Sequence, residues 1–185
     1  MVRTGGVGDG GKLTSEATLL SKNELKLAGL VEHQLPRPLG ESDQKRWLFV
    51  TPEIDAVLSD SSIVPTGWTD AKIGSFLKGH VLLVTRQRNK KRVVADFKKL
   101  EGHDEAWVMV FPQPKDDQWR LFGRFASKDV FVGLLLLPRK ECGSDERYQE
   151  RAEEMIATWK FASEPLRSDS LEDYFSGHII SKDDK

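Results

Sequence analysis

Basic side chains that can hold a phosphate group are concentrated in a few places along the chain. Arg120 and Arg124 lie four residues apart in an alternating run, and Arg139 and Lys140 follow the next apolar run. A denser group comes earlier and consists of Arg86, Arg88, Lys90, Lys91 and Arg92. Guanidinium and ammonium groups bind phosphate oxygens through charge-assisted hydrogen bonds. The pattern therefore predicts a local nucleic-acid-binding surface, with an ordinary solvated surface as the alternative.

The chain as a whole is almost neutral. Its 185 residues include 28 Lys and Arg against 29 Asp and Glu, a formal charge of −1. This balance excludes a generally cationic nucleic-acid binder, so any such activity must come from a patch. Cys142 is the only cysteine, which excludes an internal disulfide and a cysteine zinc site. The four histidines lack the spacing of a metal-binding pair, and we expect no cofactor.

One motif suggests a different chemistry. Asp96-Phe97-Lys98 has the acid-x-lysine spacing of metal-dependent nucleases, in which two carboxylates hold the metal and the lysine steadies the attacked phosphate. The second carboxylate would come from Glu53, Asp60 or Asp70. A solvated helix face is the alternative interpretation, because charge runs are usually exposed.

Strands are needed to position the later basic residues. Residues 106–111, 119–125 and 130–137 are strand-like runs joined by short polar turns, and connections this short predict an antiparallel meander. Side chains alternate across a strand, so Arg120 and Arg124 should share one face. The opposite face should carry the apolar set Trp119, Leu121, Gly123 and Phe125.

The remaining chain reads as helices, a linker and two tails. Helices are predicted over 14–27, after Thr51-Pro52, from Thr69, over 93–100 and from Ser144, whereas 80–85 fits a strand or a helix. The predicted fold class is α+β: N-terminal helices packed on a small antiparallel sheet meander, with a closing C-terminal helix. The predicted organisation is a flexible Gly-rich tail (1–13), a helix and linker (14–44), a core domain (45–162) and an acidic tail (163–185). Within that tail, Leu171, Tyr174 and Phe175 form a short docking segment.

The chain is expected to be cytoplasmic. Its longest apolar run, 130–137, is far shorter than a membrane span, and its first residues lack the apolar stretch of a secretory signal. We therefore expect no membrane partner.

The part of the chain around residues 92–160 resembles the phage-derived branch of the RelE/ParE-like toxins. The resemblance rests on 119–125 (WRLFGRF), the apolar run 130–137, Pro138-Arg139-Lys140, and a helix containing Tyr148, Glu150 and Ala152. It implies metal-independent cleavage of messenger RNA on the ribosome, with an antitoxin protein as partner. Arg124 would then clamp the phosphate, Arg139 and Lys140 would lie at the strand exit, and Arg120 would support them.

Two functions follow as hypotheses. The first is a toxin-like endoribonuclease of a toxin–antitoxin pair. The second is a non-catalytic interaction or regulatory module that uses the same sheet. The role of Tyr148 is open in the same way, because its spacing suits proton transfer or the helix's buried stripe. Whether the run 86–92 joins the Arg120 face is also open.

Overall fold

The computed structural model describes residues 20–40, 42–87 and 94–182. Within these ranges the α-helices are α1 (Lys22–Leu27), α2 (Pro52–Ser59), α3 (Thr66–Leu77) and α4 (Asp145–Ala157). The strands are β1 (Val31–Glu32), β2 (Trp47–Val50), β3 (Leu82–Gln87), β4 (Phe97–Leu100), β5 (Trp107–Phe111), β6 (Trp119–Ser127), β7 (Val130–Pro138) and β8 (Ile179–Ser181). Short 3-10 helices cover Arg139–Cys142 and Leu171–Asp173.

Local chemistry explains where several helices begin and end. Ser21 and Glu24 form a capping box at the start of α1, which satisfies two backbone donors of its first turn. Thr51 caps α2 and Pro52 is its first residue. Gly79 follows α3 with φ +72°, a left-handed conformation that favours glycine. Thr69 lies inside α3 and is not its cap, because the helix begins earlier.

The strands form one mixed sheet in the order β1-β2-β7-β6-β5-β4-β3-β8. The strands from β4 to β7 pair antiparallel, but β2–β7, β3–β4 and β3–β8 pair in parallel. The predicted fold, helices on a small antiparallel meander, is therefore wrong. A short turn between two strands in the sequence indicates that they pair antiparallel. Parallel strands are joined by long connections, so no local sequence pattern identifies which strands pair.

The predicted helix over 93–100 is also wrong. Phe97–Leu100 is strand β4, and both Phe97 and Leu100 are buried. Residues three apart in a strand point to opposite faces, and both faces of this sheet are covered. Two buried residues three apart in such a strand therefore give the same sequence pattern as the apolar face of a helix. For residues 80–85, where the sequence fits a strand or a helix, the structure shows strand β3.

The two faces of the sheet are covered by different elements. One face is here called the α2–α3 face. On it Phe97, Phe125 and Phe131 pack against α2 and α3 and against Phe175 of the segment that follows α4. The other face, here called the α4 face, packs apolar strand residues such as Phe122 against α4. At the β1–β2 end of that second face, a smaller cluster involves α1.

The segment after α4 contributes to the core. Tyr174 and Phe175 are fully buried, and the carbonyl of Ser176 accepts a hydrogen bond from the buried Arg46. Leu166, Leu171, Tyr174 and Phe175 pack on the α2–α3 face, and β8 extends the sheet beside β3. The predicted Gly-rich tail, 1–13, lies outside the described residues. In the described part of the chain, no helix has the length and apolar character needed to cross a membrane.

Candidate anion-binding site

Strand alternation places two basic residues on the α4 face. In the sheet register Lys98 pairs with Val108, which pairs with Phe122, while Arg120 pairs with Val110 on one side and Leu137 on the other. Lys98 and Arg120 thus come from β4 and β6, on either side of β5. Both point toward the face that α4 covers, as the buried Phe122 does.

Arg120 is the deepest of these basic groups, with 7% of its surface exposed. Its Nη1 donates to the carbonyls of Trp119 at 2.7 Å and Phe111 at 3.4 Å, and its Nη2 donates to Gln118 Oε1 at 3.2 Å. All three acceptors are neutral. These bonds hold the guanidinium in one place, but they leave its charge uncompensated.

Arg139 enters from the end of β7. The strand ends at Pro138, opposite Trp119, and Arg139 begins the 3-10 helix. Its Nη1 donates to the carbonyl of Gly143 at 3.3 Å, and its guanidinium carbon lies 5.9 Å from the ring centroid of Tyr148 in α4. Lys140 is next in the chain and exposed. The α4 helix therefore supplies a neighbouring side chain, Tyr148, and the 3-10 helix supplies the third basic group, Arg139.

We call Lys98, Arg120 and Arg139 the cationic cluster. Burial, and then the charges of Arg120 and Arg139, lower the pKa of Lys98. Burial also lowers the pKa of Arg120, the neighbouring Tyr148 opposes this effect, and Arg139 adds to it. Within the described residues, no carboxylate oxygen lies within 4 Å of a charged nitrogen of the cluster. The cluster is a half-buried concentration of positive charge, a site that an anion would stabilise.

Two neutral groups border the cationic cluster. Burial raises the pKa of Tyr148 to about 12, although the nearby Arg120 opposes this effect. Burial also raises the pKa of Cys142, although the nearby Arg120 and Arg139 oppose this effect, and its thiol lies 3.6 Å from the carbonyl of Pro138. Both groups therefore keep their protons at neutral pH. Tyr148 also packs on Phe122 at a ring distance of 5.0 Å, so it belongs to the core and to the site wall.

Arg124 shares the α4 face with Arg120, as the alternation predicts, but it does not join the cationic cluster. It is only 3% exposed and donates to Asp104 Oδ2 at 2.7 Å, with Trp159 stacked 5.3 Å from its guanidinium carbon. Arg167 pairs with the same carboxylate. Arg124 also lies four residues further along β6 than Arg120, a distance of about 13 Å along the strand. Arg124 is thus held in a structural ion pair and is not placed beside Arg139 and Lys140.

The earlier basic run contributes nothing to the cationic cluster within the described residues. Arg88, Lys90, Lys91 and Arg92 lie outside the described part of the chain. Arg86 lies in β3, where it donates to the carbonyl of Asp169 in the C-terminal segment. That segment packs on the α2–α3 face, so Arg86 lies on the side of the sheet opposite Arg120.

The fold places the acidic and the basic residue of the acid-x-lysine motif, Asp96 and Lys98, in different surroundings. Asp96 accepts from Lys72 at 2.5 Å and from the backbone N–H of Leu83 at 2.8 Å, so its carboxylate faces α3 and β3. Lys98 instead belongs to the cationic cluster. Among the described residues, no group of three His, Cys, Asp or Glu side chains is arranged to hold a metal ion.

Asp96 also lines a cleft of about 580 Å³ between α3 and the β3–β8 edge. Lys72, His80 and His178 line the same cleft. Its lysine and its carboxylate are already paired with each other. This cleft therefore offers a ligand less uncompensated charge than the cationic cluster does.

Sequence reasoning did not place Lys98 beside Arg120, because it assigned 93–100 to a helix. Alternation along a strand over 97–100 would have placed Lys98 opposite Phe97 and Lys99. Comparison of the chain with protein-family models, with curated proteins and with solved structures finds no significant match. The geometry of the site is therefore the basis for a functional conclusion.

Proposed function

We propose that this protein binds RNA through a phosphate group held at the cationic cluster. The observation that supports the proposal is that Lys98, Arg120 and Arg139 meet in a half-buried place where residues 20–40, 42–87 and 94–182 supply no carboxylate partner. Like charges gathered in this way repel one another and are partly desolvated. A bound phosphate offsets both costs, because its oxygens accept charge-assisted hydrogen bonds from all three groups.

The surroundings of the cationic cluster suit a nucleic-acid chain. Lys140 is exposed beside Arg139 and can contact a neighbouring phosphate. RNA is the polymer that the sequence resemblance implies. A protein with a formal charge of −1 has no general attraction for polyanions, so binding should depend strongly on these few residues.

Binding is tested with a short fluorescent single-stranded RNA at low salt. We expect Arg139→Gln to weaken binding by roughly tenfold or more, because one charge-assisted phosphate contact is lost. Lys140→Gln should weaken it less. Lys128→Gln is the matched control, since Lys128 is exposed in the turn at the other end of β6 and its substitution changes the net charge equally. Equal effects of Arg139→Gln and Lys128→Gln would contradict the proposal.

Metal-independent cleavage of the bound RNA is a second candidate, and Lys98 favours it. An ammonium whose pKa is lowered by burial and by two arginines releases a proton more readily than an ordinary lysine, as a general acid must. In the reaction the 2′-hydroxyl loses its proton to water while its oxygen bonds to the adjacent phosphorus, and the bond from phosphorus to the 5′-oxygen breaks. Lys98 donates a proton to the leaving 5′-oxygen, so the products are a 2′,3′-cyclic phosphate and a 5′-hydroxyl, and solvent returns a proton to Lys98.

Cleavage is tested with a chelator present. Cyclic-phosphate products that Lys98→Gln abolishes, even at an RNA concentration that saturates the variant, would support the second candidate. Growth arrest on expression, relieved by Arg139→Gln, would support the toxin role with an antitoxin partner. Binding without cleavage in the chelator would favour the non-catalytic module.

A further inference from the structure

The cationic cluster has a graded depth. Arg120 is its most buried member, with 7% of its surface exposed, and it is fixed by bonds to the carbonyls of Trp119 and Phe111 and to the side chain of Gln118. Lys98 and Arg139 are half-buried, and the neighbouring Lys140 is exposed. Tyr148 of α4 lies beside Arg139. A ligand that contacts all three cations therefore has to reach a guanidinium that is almost fully buried.

The positive charge of the cationic cluster is larger than the negative charge of one internal RNA phosphate. Three cations meet there, and the bordering groups Tyr148 and Cys142 keep their protons at neutral pH. An internal phosphodiester carries one negative charge on two free oxygens. A terminal phosphate monoester carries between one and two negative charges on three free oxygens at pH 7. The monoester therefore matches three donors and compensates more of their charge.

The elements around the cationic cluster favour a chain end for a second reason. The sheet lies beneath the cationic cluster, the 3-10 helix supplies Arg139 and α4 supplies Tyr148. An internal phosphate must bring two neighbouring nucleotides with it, one on each side. A terminal phosphate brings one, so it reaches the buried Arg120 with less obstruction.

We propose that the cationic cluster recognises a terminal phosphate monoester, the phosphorylated end of an RNA strand, in preference to an internal phosphodiester. This inference rests on the proposed function, since it identifies which phosphate of RNA the site takes. Lys98 and Arg139 provide the discrimination, because they are the less buried cations beside Arg120. Lys140 contacts the next phosphate and contributes to affinity for either kind of RNA.

The test compares RNAs of one sequence that differ only at their ends. One carries hydroxyls at both ends, one a 5′-phosphate and one a 3′-phosphate, and each has the same internal fluorescent base. We expect one of the phosphorylated RNAs to bind at least ~10-fold more tightly than the hydroxyl-ended RNA. Lys98→Gln and Arg139→Gln should each remove most of this preference, whereas Lys128→Gln should leave it unchanged.

Adenosine monophosphate separates recognition of the end group from recognition of the strand. It should compete with the phosphorylated RNA, and adenosine should not. Equal binding of all three RNAs, still dependent on Arg139, would overturn the inference and leave the proposed function standing. Binding of the monophosphate alone, lost in Lys98→Gln, would support the terminal-phosphate site and overturn the RNA function. Failure of every phosphorylated ligand to bind would overturn both.

Folding of the variants is checked by urea unfolding. Lys98 has no hydrogen-bond or ion-pair partner among the described residues, so Lys98→Gln should fold normally. Arg139→Gln loses one bond, to the carbonyl of Gly143. If only Arg139→Gln is unstable, Lys98→Gln still decides the outcome.

Discussion

Lys98 and Lys99 are neighbours in β4, but they lie in opposite electrostatic surroundings. On the α2–α3 face, Lys99 donates to Glu105 at 3.0 Å, to the carbonyl of Ser168 at 2.9 Å and to Tyr174 Oη at 2.9 Å. On the α4 face, Lys98 meets Arg120 and Arg139 instead. One lysine completes a network of opposite charge, and the other adds to a group of like charge.

The buried arginines repeat this contrast. Arg46, fully buried on the α2–α3 face, pairs with Asp129 at 3.2 Å and donates to the carbonyls of His80 and Ser176. Burial lowers the pKa of Arg46, and Asp129 opposes the effect. Arg120 on the α4 face has no such carboxylate partner in the part of the chain that the structure describes. Charges that stabilise the fold are paired, so the unpaired cationic cluster is better explained by a ligand than by stability.

The contrast predicts the largest loss of stability on the α2–α3 face. Asp129→Asn removes the charge that compensates Arg46 while keeping a side chain that tolerates the positive φ of 65° at this position. We expect the free energy of unfolding to fall by about 3–5 kcal/mol, because a buried guanidinium loses its partner. Urea unfolding measures this, with exposed Asp116→Asn as the control. A loss similar to that of the control would mean that the pair contributes little.

Removing Lys99 should have a smaller but clear cost. Lys99→Met leaves Glu105 and the carbonyl of Ser168 without their ammonium donor, and we expect a loss of about 2 kcal/mol. The measurement is again urea unfolding at pH 7, beside Lys98→Met as the matched variant. Equal losses in the two variants would break the contrast between the faces.

Tyr148 makes the α4 face sensitive to alkaline pH. Its pKa is about 12 in the folded protein, against about 10 in an unfolded chain. Between these values the unfolded chain loses the proton first, so stability falls as the pH rises. The stability of wild type relative to Tyr148→Phe should fall by about 1 kcal/mol between pH 9 and pH 11.

Other groups that titrate at alkaline pH, including Tyr174 and Cys142, contribute equally to the stability of both proteins, so their contributions cancel in the comparison. A difference between the two proteins that does not change with pH would show that Tyr148 is more solvated than its surroundings indicate.

The smallest effect should have the opposite sign. Lys98→Met removes a cation from between two arginines, so we expect stability to increase by up to ~1 kcal/mol at pH 7 and low salt. The pKa of Lys98 is lowered in the folded protein, so the folded state loses this proton at a lower pH than the unfolded chain. Wild type therefore gains stability as the pH rises from that lowered pKa toward ~10.4.

The advantage of Lys98→Met should consequently shrink toward pH 10, as unfolding at several pH values would reveal. Added phosphate should reduce it as well. A destabilised Lys98→Met would show that Lys98 has a favourable structural role.

Part of the site could be predicted from the sequence because it depends on local geometry. Alternation along 119–125 correctly placed Arg120 and Arg124 on the face opposite Trp119, Leu121 and Phe125. The short turns correctly indicated that β5, β6 and β7 are antiparallel neighbours. The face of Lys98 could not be predicted, because apolar residues three apart, such as Phe97 and Leu100, fit a helix as well as a strand that is buried on both faces.

The sequence alone determined the alternation, the short turns and the local basic residues of a nearly neutral chain, since these depend only on neighbours along the backbone. The tertiary structure decided which basic residues meet. It paired Arg124 with Asp104, brought Lys98 across β5 to Arg120, and placed Arg86 with the C-terminal segment on the opposite face. Each of these outcomes depends on residues distant in the chain, and the parallel pairings of β2, β3 and β8 create a mixed sheet that no short pattern specifies.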